Sequence, residues 1–122
     1  MKFNRGDIYL ISFPQTFDPK HLGGKKKYVV VLQEGANYDK YDTIAVLLLT
    51  SNPACKNYHT VVTIELGSTK LLKESYIQCS QPYTIKKSWL SGAGHFGQLS
   101  VEKLDEVDEK LYIGLCMGIQ NG

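Results

Sequence analysis

The sequence predicts a mainly β fold, a small all-β barrel with one α-helix at its C-terminal end. Three observations carry that prediction. Five short runs of β-branched and aromatic residues are bounded by Pro, Gly, Asn and Ser. They follow one another at the spacing of a small barrel rather than of βαβ units. The one clear helical periodicity comes last.

The first run, Asp7 to Phe13, is halted by Pro14 and reads as a strand. Pro14 to Lys26 contains Pro19, Gly23 and Gly24, has no periodicity, and reads as a long loop. Lys27 to Gln33 and Thr43 to Thr50 are nearly continuous apolar stretches, as expected of strands covered on both faces. The second of them ends at the turn signal Ser51-Asn52-Pro53. Tyr58 to Leu66 alternates loosely up to Gly67, and Glu74 to Ser80 forms a fifth strand before Pro82. In the helix, Ser100 is placed to cap, Glu102 suits the positive end of the dipole, and Leu99 with Leu104 can form a hydrophobic staple. Val101, Leu104, Val107, Leu111 and Leu115 predict one apolar stripe, and Gly118 a stop.

The 122 residues, 43% hydrophobic, suit one domain over residues 1–122. The longest apolar run, Ile44 to Leu49, is far short of the roughly 20 residues that cross a bilayer, so no membrane role is expected. The first residues, Met1 to Asp7, lack the apolar core of a secretory signal. Three cysteines, Cys55, Cys79 and Cys116, fit neither a disulfide framework nor a zinc site, and a reducing cytoplasm is expected. No metal or other cofactor is expected. The net charge of +2 hides an alternation: residues 1–33 and 67–99 are basic, whereas 34–66 and 100–122 are acidic. Bringing the basic segments together would create a face that attracts phosphates; scattered, they would be ordinary surface charge.

The order of motifs then points to a family. A Gly-Asp-Ile-Tyr strand, a Gly-rich loop, a basic residue opening Val-Val-Val-Leu-Gln, and a strand ending Leu-Thr-Ser-Asn resemble the MazF/PemK/Kid toxins. Ile77-Gln78-Cys79-Ser80-Gln81-Pro82-Tyr83-Thr84-Ile85-Lys86 resembles the Kid/PemK stretch Val-Arg-Cys-Asp-Gln-Pro-Arg-Thr-Ile-Asp. Gly-His-Phe-Gly-Gln-Leu-Ser before the helix resembles the segment leading into the toxins' last helix. The likeness runs over about residues 5–117. It implies an SH3-like antiparallel β-barrel (CcdB/PemK/MazF-like) with a C-terminal α-helix, usually a homodimer. It also implies a metal-independent, sequence-selective endoribonuclease that cuts single-stranded mRNA and is held by an acidic antitoxin. Operator DNA would be a partner only together with that antitoxin.

Metal-free RNA cleavage needs a base for the 2′-OH proton, an acid for the leaving 5′-oxygen, and positive charge at the phosphate. The resemblance places Lys27 where the family has its Arg; an ammonium holds phosphate as a point charge without the guanidinium's two-pronged contact. Lys25 and Lys26 stand beside it as further phosphate contacts. His21, six residues before Lys27, matches the loop histidine of the Kid branch and can move protons at neutral pH. Thr50 and Ser51 match the family's Thr-Ser and can donate to phosphate oxygens. Gln78, Ser80, Gln81 and Lys86 are the matching substrate-binding positions of the second half. There the chain departs from the pattern: Gln78 and Ser80 replace the Kid-type Arg and Asp, and Tyr83 and Lys86 replace the MazF-type pair. Losing a general acid or base costs about 10²–10⁴-fold in rate, so a weakened or inactive, nucleic-acid- or antitoxin-binding member is the alternative. A poison of a protein target such as gyrase is a second alternative. His59 and His95 show no charged partner at a diagnostic spacing and read as structural. Tyr38, Tyr41, Tyr58, Tyr83 and Trp89 could stack bases if they share a face, and otherwise pack. Cys79 reads as a small core residue.

Overall fold

A computed structural model describes residues 3–14, 23–34 and 40–120, with side chains as far as residue 115. Its strands are β1 (Asp7–Ser12), β2 (Lys26–Val31), β3 (Thr43–Thr50), β4 (Val61–Ile64), β5 (Ser75–Gln78), β6 (Tyr83–Lys86) and β7 (Gly94–Gln98), followed by α1 (Val101–Gln120). All pairings are antiparallel, in the order β4-β5-β3-β2-β1-β7, with β6 also on β3. The sheet curls into a half-barrel, a mainly β fold with one terminal helix as the sequence predicts.

The long apolar runs have a direct explanation. Side chains alternate between the two faces of a strand, and here both faces are buried. Tyr9, Ile11, Val29, Val31, Ile44, Val46 and Leu48 point into one core with Phe3, Phe13, Ile85 and Leu90. Ile8, Val30, Leu47 and Leu49 point into the other, with Val62, Ile64, Ile77, Cys79, Leu99 and Val107. Each fully buried Ile, Leu or Val contributes about 1.5–3 kcal/mol relative to exposure. β3 holds the two cores together. Its first half, Thr43 to Val46, pairs with β6, and its last residues, Leu49 and Thr50, pair with β5.

Two strands are absent from the five-strand prediction. β6 buries only Ile85 of its four residues, and β7, Gly-His-Phe-Gly-Gln, buries none fully. Neither has an apolar alternation to read. β7 exists because β1 supplies a pairing edge, across an irregularity between Asp7 and Tyr9.

The helix begins as its sequence predicts. Ser100 Oγ accepts from the Lys103 amide at 3.2 Å, and Leu99 is buried in the core against which Leu104 packs. Lys103 reaches Glu65 at 2.7 Å, and Arg5 pairs with Asp108, tying both ends of the sheet to the helix. The apolar stripe is shorter than predicted. Leu104, Val107 and Leu111 pack inward, but Val101 is 72% and Leu115 48% exposed. A 20-residue helix is about 30 Å long, whereas the four-residue β4 beneath it spans about 13 Å, so its ends overhang. Gly118 does not stop the helix, which continues to Gln120.

Gly6 fixes the approach of helix to sheet. Its φ of 91° is unfavourable for other residues, and a Cβ there would meet Leu104 at 3.3 Å. The next residue, Asp7, is 5% exposed and accepts from the Asn4 amide at 2.9 Å.

Candidate functional site

Three segments meet where β2 begins and β3 ends. β2 brings Lys26, Lys27 and Tyr28; β3 and the residue after it bring Leu49, Thr50 and Ser51; the turn into β5 brings Leu71, Leu72, Lys73 and Ser75. Together they line a cleft of about 360 Å³. Strand order explains the meeting, because β3 lies between β2 and β5 and its last residues pair with β5.

Each wall is locally fixed. Thr50 Oγ1 accepts from the Asn52 amide at 3.2 Å, which leaves the hydroxyl proton free to donate into the cleft. Asn52 in turn caps the short 3-10 turn Pro53–Cys55, its side chain accepting from the Ala54 amide at 3.0 Å. Tyr28 meets Phe96 edge-on, with ring centroids 5.0 Å apart. On the opposite wall Leu71 is buried, and its amide donates to Thr69 Oγ1 at 3.2 Å. Ser75 Oγ donates to the Lys73 carbonyl at 3.0 Å. Leu72, by contrast, stands 88% exposed at the mouth.

The electrostatics are one-sided. Among the described lining residues are three ammonium groups, Lys26, Lys27 and Lys73, and no carboxylate or imidazole. The nearest acid in sequence, Glu74, is engaged elsewhere: it accepts from Tyr76 Oη at 2.7 Å and pairs with Lys56 at 3.3 Å. The Tyr76 hydroxyl first, and Lys56 next, hold the Glu74 carboxyl below its ordinary range. An open cleft with three cations and donor hydroxyls suits a phosphodiester.

The sequence-predicted residues divide accordingly. Lys26, Lys27, Thr50 and Ser51 line the cleft together. Lys25 is exposed just before β2, its carbonyl accepting from the Phe13 amide at 2.9 Å, and is not part of the lining. His21 and Tyr38 lie outside the described residues, as does most of the predicted long loop. Gln78, Ser80, Gln81 and Lys86 are also not among the lining residues. Gln78 pairs with Val61 at the far end of β5, and Ser80 packs its backbone against α1 at Gly114. Gln81 is exposed in the turn that follows. Lys86 pairs with Thr43, seven residues along β3 from Thr50, which is about 23 Å of extended strand.

Lys73, Leu72 and Ser75 are cleft residues that the sequence did not single out. Their only signal was position, on the approach to a strand that pairs with the tip of β3. Cys79 is fully buried, and burial pushes its thiol up to about 12, so it is a packing residue and no nucleophile at neutral pH.

A second polar cluster lies on β1 and β7. His95 Nε2 is 3.2 Å from Asp7 Oδ1, and the His95 ring meets Tyr9 edge-on at 5.2 Å. His95 thus has a charged partner that no local spacing could reveal, since the two residues are 88 positions apart. Burial, and then the Asp7 charge, raises the Tyr9 hydroxyl above its ordinary range. His59 is exposed.

Comparison with known proteins identifies the family. Residues 4–115 match the family model described as PemK-like, MazF-like toxin of type II toxin-antitoxin system. No curated protein matches the sequence. Among solved structures, MazF from Deinococcus radiodurans shares 19% identity and a TM-score of 0.73, over 97% of this chain and 98% of that one. A mycobacterial endoribonuclease in complex with its cognate antitoxin shares 17% identity and a TM-score of 0.69, over 93% and 94%. The MazE-MazF complex from D. radiodurans shares 16% identity and a TM-score of 0.69, over 91% and 92%. The chain therefore belongs to the PemK-like, MazF-like toxins of type II toxin–antitoxin systems.

Proposed function

We propose that the protein is a metal-independent, sequence-selective endoribonuclease that cuts single-stranded mRNA as the toxin of a toxin–antitoxin pair. The observation that supports this most is the convergence of Lys26, Lys27, Thr50 and Ser51 with Lys73 on one cleft, whose described lining holds no carboxylate. Lys27 binds the scissile phosphate, with Lys26 and Lys73 adding positive charge as the phosphorane develops. Thr50 and Ser51 donate to its non-bridging oxygens and orient it. His21 moves the protons: the 2′-oxygen attacks phosphorus, the bond to the 5′-oxygen breaks, and a 2′,3′-cyclic phosphate and a 5′-hydroxyl result. The same reading includes a homodimer in the cytoplasm, an acidic antitoxin segment that competes for the basic cleft, and operator DNA bound only in the antitoxin complex.

The test is incubation of the purified protein with a long mRNA in EDTA. Defined fragments ending in 2′,3′-cyclic phosphate are expected; intact RNA at enzyme excess would refute nuclease activity. One observation favours a second reading, an RNA-binding member without cleavage. The described lining supplies cations and hydroxyls but no carboxylate or imidazole, and Gln78 and Ser80 stand where Kid-type toxins carry Arg and Asp. Binding without fragments in that same assay would establish it.

A further inference from the structure

Beside the cleft lies a second depression of about 380 Å³, between the end of β1 and the segment that leads into β7. Ser12, Lys26, Trp89, Ser91 and Gly92 are among its lining residues. Lys26 lines both depressions, so it stands at the border they share. We propose that this depression is a second nucleotide subsite, which takes an RNA base adjoining the phosphate held at Lys26 and Lys27. The proposal rests on the ribonuclease reading above and extends its substrate by one defined position.

The chemistry of the lining selects a nucleotide. Trp89 is half-buried and meets Phe13 edge-on, with ring centroids 6.1 Å apart and planes at 75°, so the indole is held in a set orientation. A pre-oriented indole is a stacking platform that costs little side-chain entropy to use. Opposite features keep the space open. Gly92 has a φ of 81° and no atom within 4 Å of where a Cβ would stand. Its conformation resists any larger residue, and the missing side chain leaves room for a planar ring. Ser12 and Ser91 are exposed hydroxyls, able to donate to or accept from a base edge. The lining thus combines a cation, an aromatic ring and hydroxyls, the groups that suit a phosphate, a base face and a base edge. The volume falls within the usual range of small-molecule pockets, about 300–1,000 Å³.

Trp89 is the only tryptophan of the chain, so its emission reports on this depression alone. The probes are an end-labelled octanucleotide with 2′-O-methyl sugars, which cannot be cut by attack of the 2′-oxygen, and the matching dinucleotide. The octanucleotide is expected to quench Trp89 over the same concentration range in which its label anisotropy rises. Trp89→Ala should lower the ratio of octanucleotide to dinucleotide affinity about tenfold, and Trp89→Phe should retain most of it. Because Trp89 packs against the core, Ser91→Glu serves as a second variant; this exposed residue would put a negative charge in the subsite and lower the ratio without disturbing packing. Anisotropy that reports binding while Trp89 emission stays still, with the ratio unchanged in both alanine and glutamate variants, overturns the subsite and leaves the ribonuclease intact. Emission that follows protein concentration and not RNA assigns the depression to a second copy of the chain, which also overturns it. An octanucleotide that does not bind, together with uncut mRNA, overturns both readings.

Discussion

The β2–β3 cleft and the β1–β7 cluster each concentrate charged side chains, and they treat charge in opposite ways. In the cleft, Lys26, Lys27 and Lys73 form no ion pair with a described carboxylate and face solvent. In the cluster, buried Asp7 is surrounded by the Asn4 amide, His95 and Tyr9, and its charge is satisfied from within. Clustered like charges repel one another, and leaving them unneutralised costs stability that an anionic ligand restores. A buried carboxylate with three partners, by contrast, is a structural fastening that loses stability when any partner goes. Both groups carry residue types that do catalysis elsewhere. Only their surroundings separate a site from a brace.

That contrast can be broken most directly at Lys27. Lys27→Ala should reduce RNA cutting by about 100-fold or more while the thermal midpoint shifts by no more than about 2 °C, since its ammonium makes no ion pair with a described carboxylate. Parental cutting rates in this variant would remove the phosphate anchor from the cleft. Asp7→Ala should do the reverse. Three groups lose their acceptor, and urea denaturation should show about 2–3 kcal/mol lost, with cutting per folded molecule kept. A variant as stable as the parent would mean that the cluster is no brace.

The smallest effect concerns Cys79. Its thiol, pushed up to about 12 by burial, keeps its proton in the folded state after the unfolded chain has released it near pH 9. The stability tied to that proton is complete below about pH 9 and is lost as pH rises toward 12, so alkali should progressively favour unfolding. Peptide mapping after iodoacetamide at pH 8 should find Cys55 modified and Cys79 protected until urea is added. Early modification of Cys79 would show that the core opens at this point.

The legibility of the chain in its sequence followed burial. β1 to β3 could be read because two buried faces demand uninterrupted Val, Leu and Ile, and the helix start because Ser100 and Leu99 have local jobs. β7 could not be read, since Gly94 and Gly97 carry no pattern and the strand depends on β1 as its template. Part of the cleft was visible through Lys26, Lys27, Thr50 and Ser51, whose motif order matches a family. Lys73 was hidden because only the pairing of β5 with the tip of β3 brings it across. The same topology sends Gln78 and Ser80 toward β4 and the helix, where adjacency to a family motif says nothing about distance.

The division of β3 between two cores has a consequence for how the cleft can change over evolutionary time. A shift of β3 by one residue would send Ile44, Val46 and Leu48 into the space built for Leu47 and Leu49, and would carry Thr50 away from its lysines. The hydroxyl corner is thus the inflexible part of the pocket, inherited with the framework. The turn bearing Leu72 and Lys73 answers to neither core through those two side chains, and it is there that the molecule can be retuned without being rebuilt.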